Sequence, residues 1–358
     1  MAVAARRLPT RALVGLAVAS LVALTAVDAD AHPRRSRRRP TAIVPRPVAV
    51  AAAVVPGVAA RGLGGYLVGD RSAARATLAT GGPGLGLMLL GGLPLLTTYG
   101  SGKLVVPGVH LAVVGAGLFV GSWWSDLFAA AGGARLDGRP RTIPHLEVGA
   151  SATWLREAYR GDRALVGATV RGWRGRWRGA ATLRVADDRA LTVGRLDGGV
   201  VVRGARDRTG SAVIVRGALA GEWRGADDAR VATGELAARG RLAFAELAPG
   251  LAGSFLDLEA GLGLELADYP DGEPDLLGLL LARFAWGVFL PDGRGELALF
   301  YDHRRDHLAG GLVAGRAAGF FGSVGLAGEV ALGGWTATAE VEVGSAWVTT
   351  VGVRRRLP

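Results

Sequence analysis

From Pro144 onward, apolar and polar residues alternate with a period of two. The cleanest run covers residues 255–266. Leu256, Leu258, Ala260, Leu262, Leu264 and Leu266 share one parity; Phe255, Asp257, Glu259, Gly261, Gly263 and Glu265 share the other. Successive strand side chains point to opposite faces, so this run predicts a strand with one oily side and one acidic or small side. Gly179, Ala181, Leu183 and Val185 oppose Arg178, Thr182 and Arg184 in the same way, and Leu196, Val200 and Val202 oppose Arg195, Asp197 and Arg203. Ala232, Leu236, Ala238, Leu242 and Phe244 oppose Thr233, Glu235, Arg239 and Arg241, and Trp335 to Val343 repeats the pattern against Thr336, Thr338, Glu340 and Glu342. About twelve such runs, most of ten to fifteen residues, lie between Leu146 and Leu357.

A soluble sandwich also alternates. Three features favour a closed barrel in a membrane. The runs match a tilted strand across the hydrocarbon layer and exceed the usual globular strand. The non-apolar parity is charged or glycine, with no further apolar set to fill a soluble interior, as an oily exterior around a polar lumen requires. The aromatics also gather at run ends. If the first strand runs outward, Trp173, Trp177, Phe244, Trp286 and Trp335 form an inner girdle, and Trp154, Trp223 and Trp347 an outer one. That threading makes residues 303–319 a long outer loop and Gly333-Gly334 a tight inner turn.

Upstream the pattern changes. Residues 63–133 hold two apolar stretches, 85–98 and 104–124, separated by Tyr99-Gly-Ser-Gly-Lys103. They predict an αα-hairpin. Gly117-x-x-x-Gly121 has the spacing that lets two helix backbones approach closely. Pro94, Pro107 and many glycines weaken both stretches as membrane spans. A hairpin beside the barrel is therefore preferred over an inner-membrane hairpin, because a strong span would halt export before the barrel emerged. Residues 32–62, with Pro33, Pro40, Pro45, Pro47 and Pro56, read as a linker in which proline interrupts any helix.

The first 31 residues read as a signal peptide. Arg6, Arg7 and Arg11 precede an apolar run from Ala12 to Val27, and Ala29-Asp30-Ala31 supplies a cleavage pattern. The competing reading is a retained anchor, for which the run is short.

Composition adds limits. The formal charge is +11, yet the bases are almost all Arg, with Lys103 the single lysine. They are spread along the chain rather than gathered on a face with interleaved aromatics, so no nucleic-acid partner is expected. The dense cluster Arg34, Arg35, Arg37, Arg38 and Arg39 reads as a solvated tail. Cysteine is absent, which removes disulfides and a lipidation site.

With a signal peptide, alternating strands, aromatic girdles and a strand at the end of the sequence, residues 145–358 resemble the bacterial, Gram-negative outer-membrane β-barrel class, porin-like but of no particular subfamily. The resemblance implies an outer-membrane location, a lipid environment and assembly by the barrel-assembly machinery. Members usually finish on an aromatic residue, whereas this sequence finishes Arg-Leu357-Pro358. The helical region has no counterpart in the porin pattern.

Candidate chemistry follows from the inward parity. Early runs contribute Arg171, Arg184, Arg195, Arg203, Arg216, Arg239 and Arg241; later runs contribute Asp257, Glu259, Glu265, Glu296, Glu340 and Glu342. Closing the sheet sets these two walls opposite each other. In a water-filled pore they would impose a transverse field on small polar solutes. In a narrow barrel they would meet as ion pairs and seal it. Both outcomes are open at this point.

The densest segment is Asp302-His303-Arg304-Arg305-Asp306-His307. His303 as base, with Asp302 or Asp306 orienting it and His307 nearby, would suit a barrel enzyme acting on lipids. The segment reads as strand end and loop rather than one helix face, so a charged rim is preferred, with no metal and no cofactor expected. His110 reads as a helix-interface histidine and His145 as surface. The expected function is a non-enzymatic outer-membrane barrel, either a narrow pore or a structural wall. The alternatives are the lipid enzyme and an inner-membrane hairpin carrying a periplasmic β domain.

Overall fold

The computed structural model describes residues 42–98, 102–157, 161–187, 191–225, 228–270, 272–303, 322–344 and 346–358. The signal peptide, the Arg34–Arg39 cluster and the stretch from Arg304 through Asp306 and His307 lie outside the described residues.

Twelve antiparallel strands close into one barrel, each paired with its sequence neighbours and β1 with β12. They are β1 Leu146–Glu157, β2 Gly161–Arg174, β3 Trp177–Ala186, β4 Leu191–Gly204, β5 Ala212–Arg224, β6 Ala229–Ala243, β7 Ser254–Asp268, β8 Asp275–Phe289, β9 Gly295–Asp302, β10 Ser323–Leu332, β11 Trp335–Val343 and β12 Ala346–Leu357. Closure rests on the β1–β12 register, which runs unbroken from Leu146↔Leu357 to Glu157↔Ala346. A sheet joined to itself has no free edge, so the sandwich alternative does not apply.

The chain enters at Leu146 and leaves at Leu357 on the same end, here the entry end. The β2–β3, β4–β5, β6–β7, β8–β9 and β10–β11 turns share that end, and Gly333-Gly334 is one of them. Strand β9 ends and β10 begins at the far end.

The alternation sorts faces as the sequence predicts. Val166, Leu183, Leu196, Leu219, Leu236, Leu264 and Val351 stand exposed on the outside. Trp154, Trp177, Trp223, Trp335 and Trp347 are exposed at the strand ends.

Three residues of the inner girdle are placed differently. Trp173 turns inward, donating from Nε1 to the Ile143 carbonyl at 2.6 Å and stacking on His145. Phe244 leaves β6 and is buried in a core with Leu251 and Leu256. Trp286 faces outward but is covered by a helix, donating to Ser125 Oγ at 2.9 Å and meeting Trp124 edge-on.

Among the described residues, four α-helices precede the barrel: α1 Arg46–Val54, α2 Leu63–Leu67, α3 Arg71–Thr97 and α4 Gly102–Ala131. Helix α1 corrects the linker reading. Pro47 sits in its first turn, where no intrahelical N–H is needed, and Pro56 follows its end. Asp70 caps α3 by accepting from the Ala73 N–H at 3.0 Å. Asp126 of α4 accepts from the Gly64 and Gly65 N–H groups at 3.0 and 2.7 Å, fixing α2 against the hairpin.

Helices α3 and α4 form the expected hairpin, longer than the apolar stretches alone suggested. Its seam is made by other glycines than expected. A Cβ on Gly84 would lie 2.6 Å from the Phe119 nitrogen, one on Gly91 2.3 Å from the Gly108 oxygen, and one on Gly115 2.3 Å from the Met88 nitrogen. Gly117 and Gly121 face the barrel instead: their Cβ atoms would collide with Leu258, Phe284 and Leu256. The four-residue spacing therefore lets a helix sit close to outward strand side chains rather than to another helix. Gly82 and Gly86 face open space.

The hairpin lies along the outside of β7 and β8. Ala260 and Ala282 pair directly, and this small outward pair leaves room for His110. The His110 Nε2 sits 3.0 Å from the Gly261 carbonyl and 3.1 Å from the Leu281 carbonyl; Nδ1 reaches the Val106 carbonyl at 2.8 Å. The interface reading of His110 holds.

Candidate functional site: the barrel lumen

Inward residues meet as ion pairs. Arg195 grips Glu235 with both terminal nitrogens, at 2.8 and 2.7 Å, and reaches Asp197 beside it. Arg216 bridges Glu235 and Glu259 at 3.2 and 3.0 Å. Arg239 donates to Asp257 at 2.8 Å, and Arg241 joins Asp257 to Glu296, the latter by two bonds of 2.6 and 3.0 Å. Arg171 binds Glu147 and Glu329, which also receive Arg354. Bidentate guanidinium–carboxylate pairs like these hold both partners in fixed planes.

Two opposed walls of opposite charge are therefore not what forms. Glu147, Asp197 and Glu235 place acids on early strands, and Arg283 and Arg354 place bases on late ones, so charge is neutralised locally. Of the sequence candidates, Glu340 and Glu342 line the lumen cavity and interact electrostatically with Arg184. Glu342 also accepts from Ser323 Oγ at 2.5 Å. Glu265 keeps the inward parity farther up β7, paired in register with Thr233 and Leu277.

Arg203 is a correction. The register shifts between Val201 and Arg203, so Arg203 pairs with Val213, whereas Val201 pairs with Ile214. Ile214 and Arg216 line the lumen. Directly paired residues share a face, so the bulge turns Arg203 to the outside. Strict alternation across one extra residue placed it on the wrong side.

The His303 pair is also corrected. Asp302 faces the lumen 4.0 Å from Arg283. His303 takes the outward parity, its Nδ1 2.8 Å from the Tyr301 hydroxyl. Neighbouring strand residues point apart, so Asp302 is not the carboxylate that orients His303.

The principal feature absent from sequence reasoning is a plug at the entry end. Residues 138–145 cross the mouth beside the β4–β5 turn. The Ile143 N–H donates to the Asp207 carbonyl at 2.8 Å and the Thr209 N–H to the Arg141 carbonyl at 2.8 Å. Arg141 Nη2 donates to Glu147 at 2.6 Å and to Thr336 at 3.0 Å, and Nη1 to Glu329 at 2.5 Å. Arg141 is 2% exposed and Glu147 0%. Burial opposes the Arg141 charge, but Glu329 and Glu147 outweigh it and raise its pKa above the usual value. Arg178 and Arg241 tie the turn from the other side through the Ala205 and Thr209 carbonyls, at 3.1 and 3.2 Å.

Toward the far end the lumen is apolar, against expectation. Leu155, Leu165, Ala186, Leu191, Ala346 and Val348 form a buried cluster on the inward parity of β1 to β4 and β12. Leu279 and Leu281 of β8 pack over the β7 glycines onto Ala237 of β6. Between plug and cluster lies a cavity of about 620 Å³, lined by Arg195, Asp197, Arg283 and Glu296 among others. Among the described residues no group of His, Asp or Glu is arranged to hold a metal.

No protein-family model matches this chain, and no curated protein matches it. Several solved structures do. The outer membrane protein Omp33 of Acinetobacter baumannii is 7% identical with a TM-score of 0.31, over 60% of this chain and 99% of that one. The NanC porin is 6% identical with a TM-score of 0.40, over 59% and 100%. The translocator domain of the autotransporter NalP from Neisseria meningitidis is 17% identical with a TM-score of 0.33, over 63% and 92%. These are outer-membrane β-barrel proteins. The closed antiparallel barrel described above rests on its own strand pairing, and no subfamily is singled out.

Proposed function

We propose that this protein spans the outer membrane as a closed structural barrel, with the α3–α4 hairpin lying in the same bilayer against β7 and β8. The observation that carries the reading is Arg141, an arginine of the segment before β1, buried in the lumen mouth between Glu147 and Glu329. An open pore at that point would hydrate the guanidinium. The apolar cluster at the far end supports closure from the other side. The membrane part is supported by the outward apolar belt, its tryptophan rims and the continuity of that belt with the exposed Leu85, Leu89, Leu93 and Leu96 of α3.

Planar-bilayer recording of the refolded protein tests the reading. A silent bilayer is expected, and channels should appear only when residues 138–145 are deleted and the far-end leucines Leu155, Leu165 and Leu191 are cut back to glycine as well. Steady channel openings in the intact protein would overturn it.

A second reading, a narrow pore for small polar solutes, is favoured by the 620 Å³ charged cavity. It requires both the plug and the far-end cluster to part, so channels would then appear only when voltage or a solute displaces both. Among the described residues, His303 Nδ1 meets the Tyr301 hydroxyl at 2.8 Å, and we propose no catalytic role for it.

A further inference from the structure

The bulge in β4 has a consequence outside the barrel. A cationic side chain on the lipid face of a barrel is unfavourable at mid-depth and nearly neutral close to the interface. Arg203 is the penultimate residue of β4, at the entry-end rim. It borders a crevice of about 400 Å³ bounded by the hairpin, the β4–β5 turn and the β6–β7 connection. The wall is apolar, built from Leu118, Val213, Leu242, Leu247, Leu256 and Leu258. Its rim carries three exposed charged residues: Arg203 and Arg208, both basic, and Glu246, acidic. Arg208 has a weak ion pair with Asp207 at 3.7 Å. Arg241 reaches the crevice from the lumen side, but its guanidinium is held by Asp257 and Glu296.

We infer that this crevice binds one zwitterionic glycerophospholipid of the leaflet at the entry end, a lipid whose headgroup carries a phosphate and a primary ammonium. The acyl chain runs along the leucine wall where the hairpin leaves the barrel. Arg203 and Arg208 donate to the phosphate, the geometry a guanidinium suits best. Glu246 accepts from the ammonium. A crevice of this size holds a headgroup and the first part of one chain, with the remainder in the bilayer. The bulge is then a binding device, since unshifted alternation would bury Arg203 in the lumen. The inference rests on the membrane reading above.

Native mass spectrometry of the full chain in mild detergent tests it, with dioleoyl phosphatidylethanolamine, phosphatidylcholine and phosphatidylglycerol as probes. One phosphatidylethanolamine should remain bound at saturation. The double variant R203A/R208A should weaken retention by about ten-fold or more. Glu246→Gln should remove the preference over phosphatidylglycerol while keeping phosphate binding. Heat-modifiable gel mobility checks that the variants still form the barrel. Equal retention by the double variant, or an unsaturating ladder of any lipid, overturns the inference. A chain that stays dispersed in water without detergent overturns the membrane reading itself. A chain that needs detergent yet saturates with no lipid overturns only the site.

Discussion

Arg141 donates to Glu147, six residues farther along the chain, at 2.6 Å, and neither side chain reaches solvent. The first strand and the segment that precedes it are thus locked together inside the barrel mouth. Removing Arg141 leaves Glu147 and Glu329 to Arg171 and Arg354, so the loss should fall below the ~3–5 kcal/mol of a wholly uncompensated buried charge. Arg141→Ala should therefore lower the temperature at which the folded, fast-migrating gel species disappears. Arg141→Lys should recover only part of the loss, because an ammonium cannot reach Glu147, Glu329 and Thr336 together. A wild-type transition in R141A would contradict the plug.

Glycines of α3 should divide sharply by face. Leucine at Gly84 or Gly91 must displace α4 backbone, an overpacking effect of about 1–3 kcal/mol or more. The same replacement at Gly82 or Gly86 meets open space. Limited proteolysis of the hairpin should separate the two groups. Equal resistance across all four variants would argue against this seam.

Docking of the hairpin on the barrel should be separable from barrel closure. Leucine at Gly117 or Gly121 collides with Leu258, Phe284 or Leu256 of the outer wall. Trp286, now covered by Ser125, Trp124 and Phe128, should change its fluorescence. Gel mobility of the barrel should stay the same, because the β1–β12 closure is untouched. Loss of both signals together would mean that the barrel depends on the hairpin.

Tryptophan quenching by brominated lipid should report the faces directly. Single Trp→Phe variants at positions 154, 177, 223, 335 and 347 should each lose a quenched component, since those rings are outward and exposed. Trp173→Phe should lose an unquenched one, because its ring lies over the plug beside His145. Quenching of Trp173 to the same degree as Trp177 would be the contrary result.

Face assignment was legible where alternation ran unbroken, as from Asp257 to Glu265 in β7. It failed at Arg203 because one inserted residue reverses parity, and no local composition marks that insertion. It also misjudged Trp173: an indole at a strand end suits a girdle, but odd parity on β2 turns it inward to meet a carbonyl. The charged residues were legible as an inward set. Their partners were not, because Arg195 lies forty positions from Glu235 and Arg171 far from Glu329.

By itself the sequence determined the twelve-strand alternation, the helical hairpin and the oily exterior, because each follows from a repeat a few residues long that fixes which side of an element is apolar. Only the tertiary structure decided that Arg141 is buried between Glu147 and Glu329 at the mouth, that leucines gather in the far lumen and that Gly117 meets a strand instead of a helix. Those depend on which distant segments ring closure brings within a few ångströms, and a local repeat carries no record of that distance.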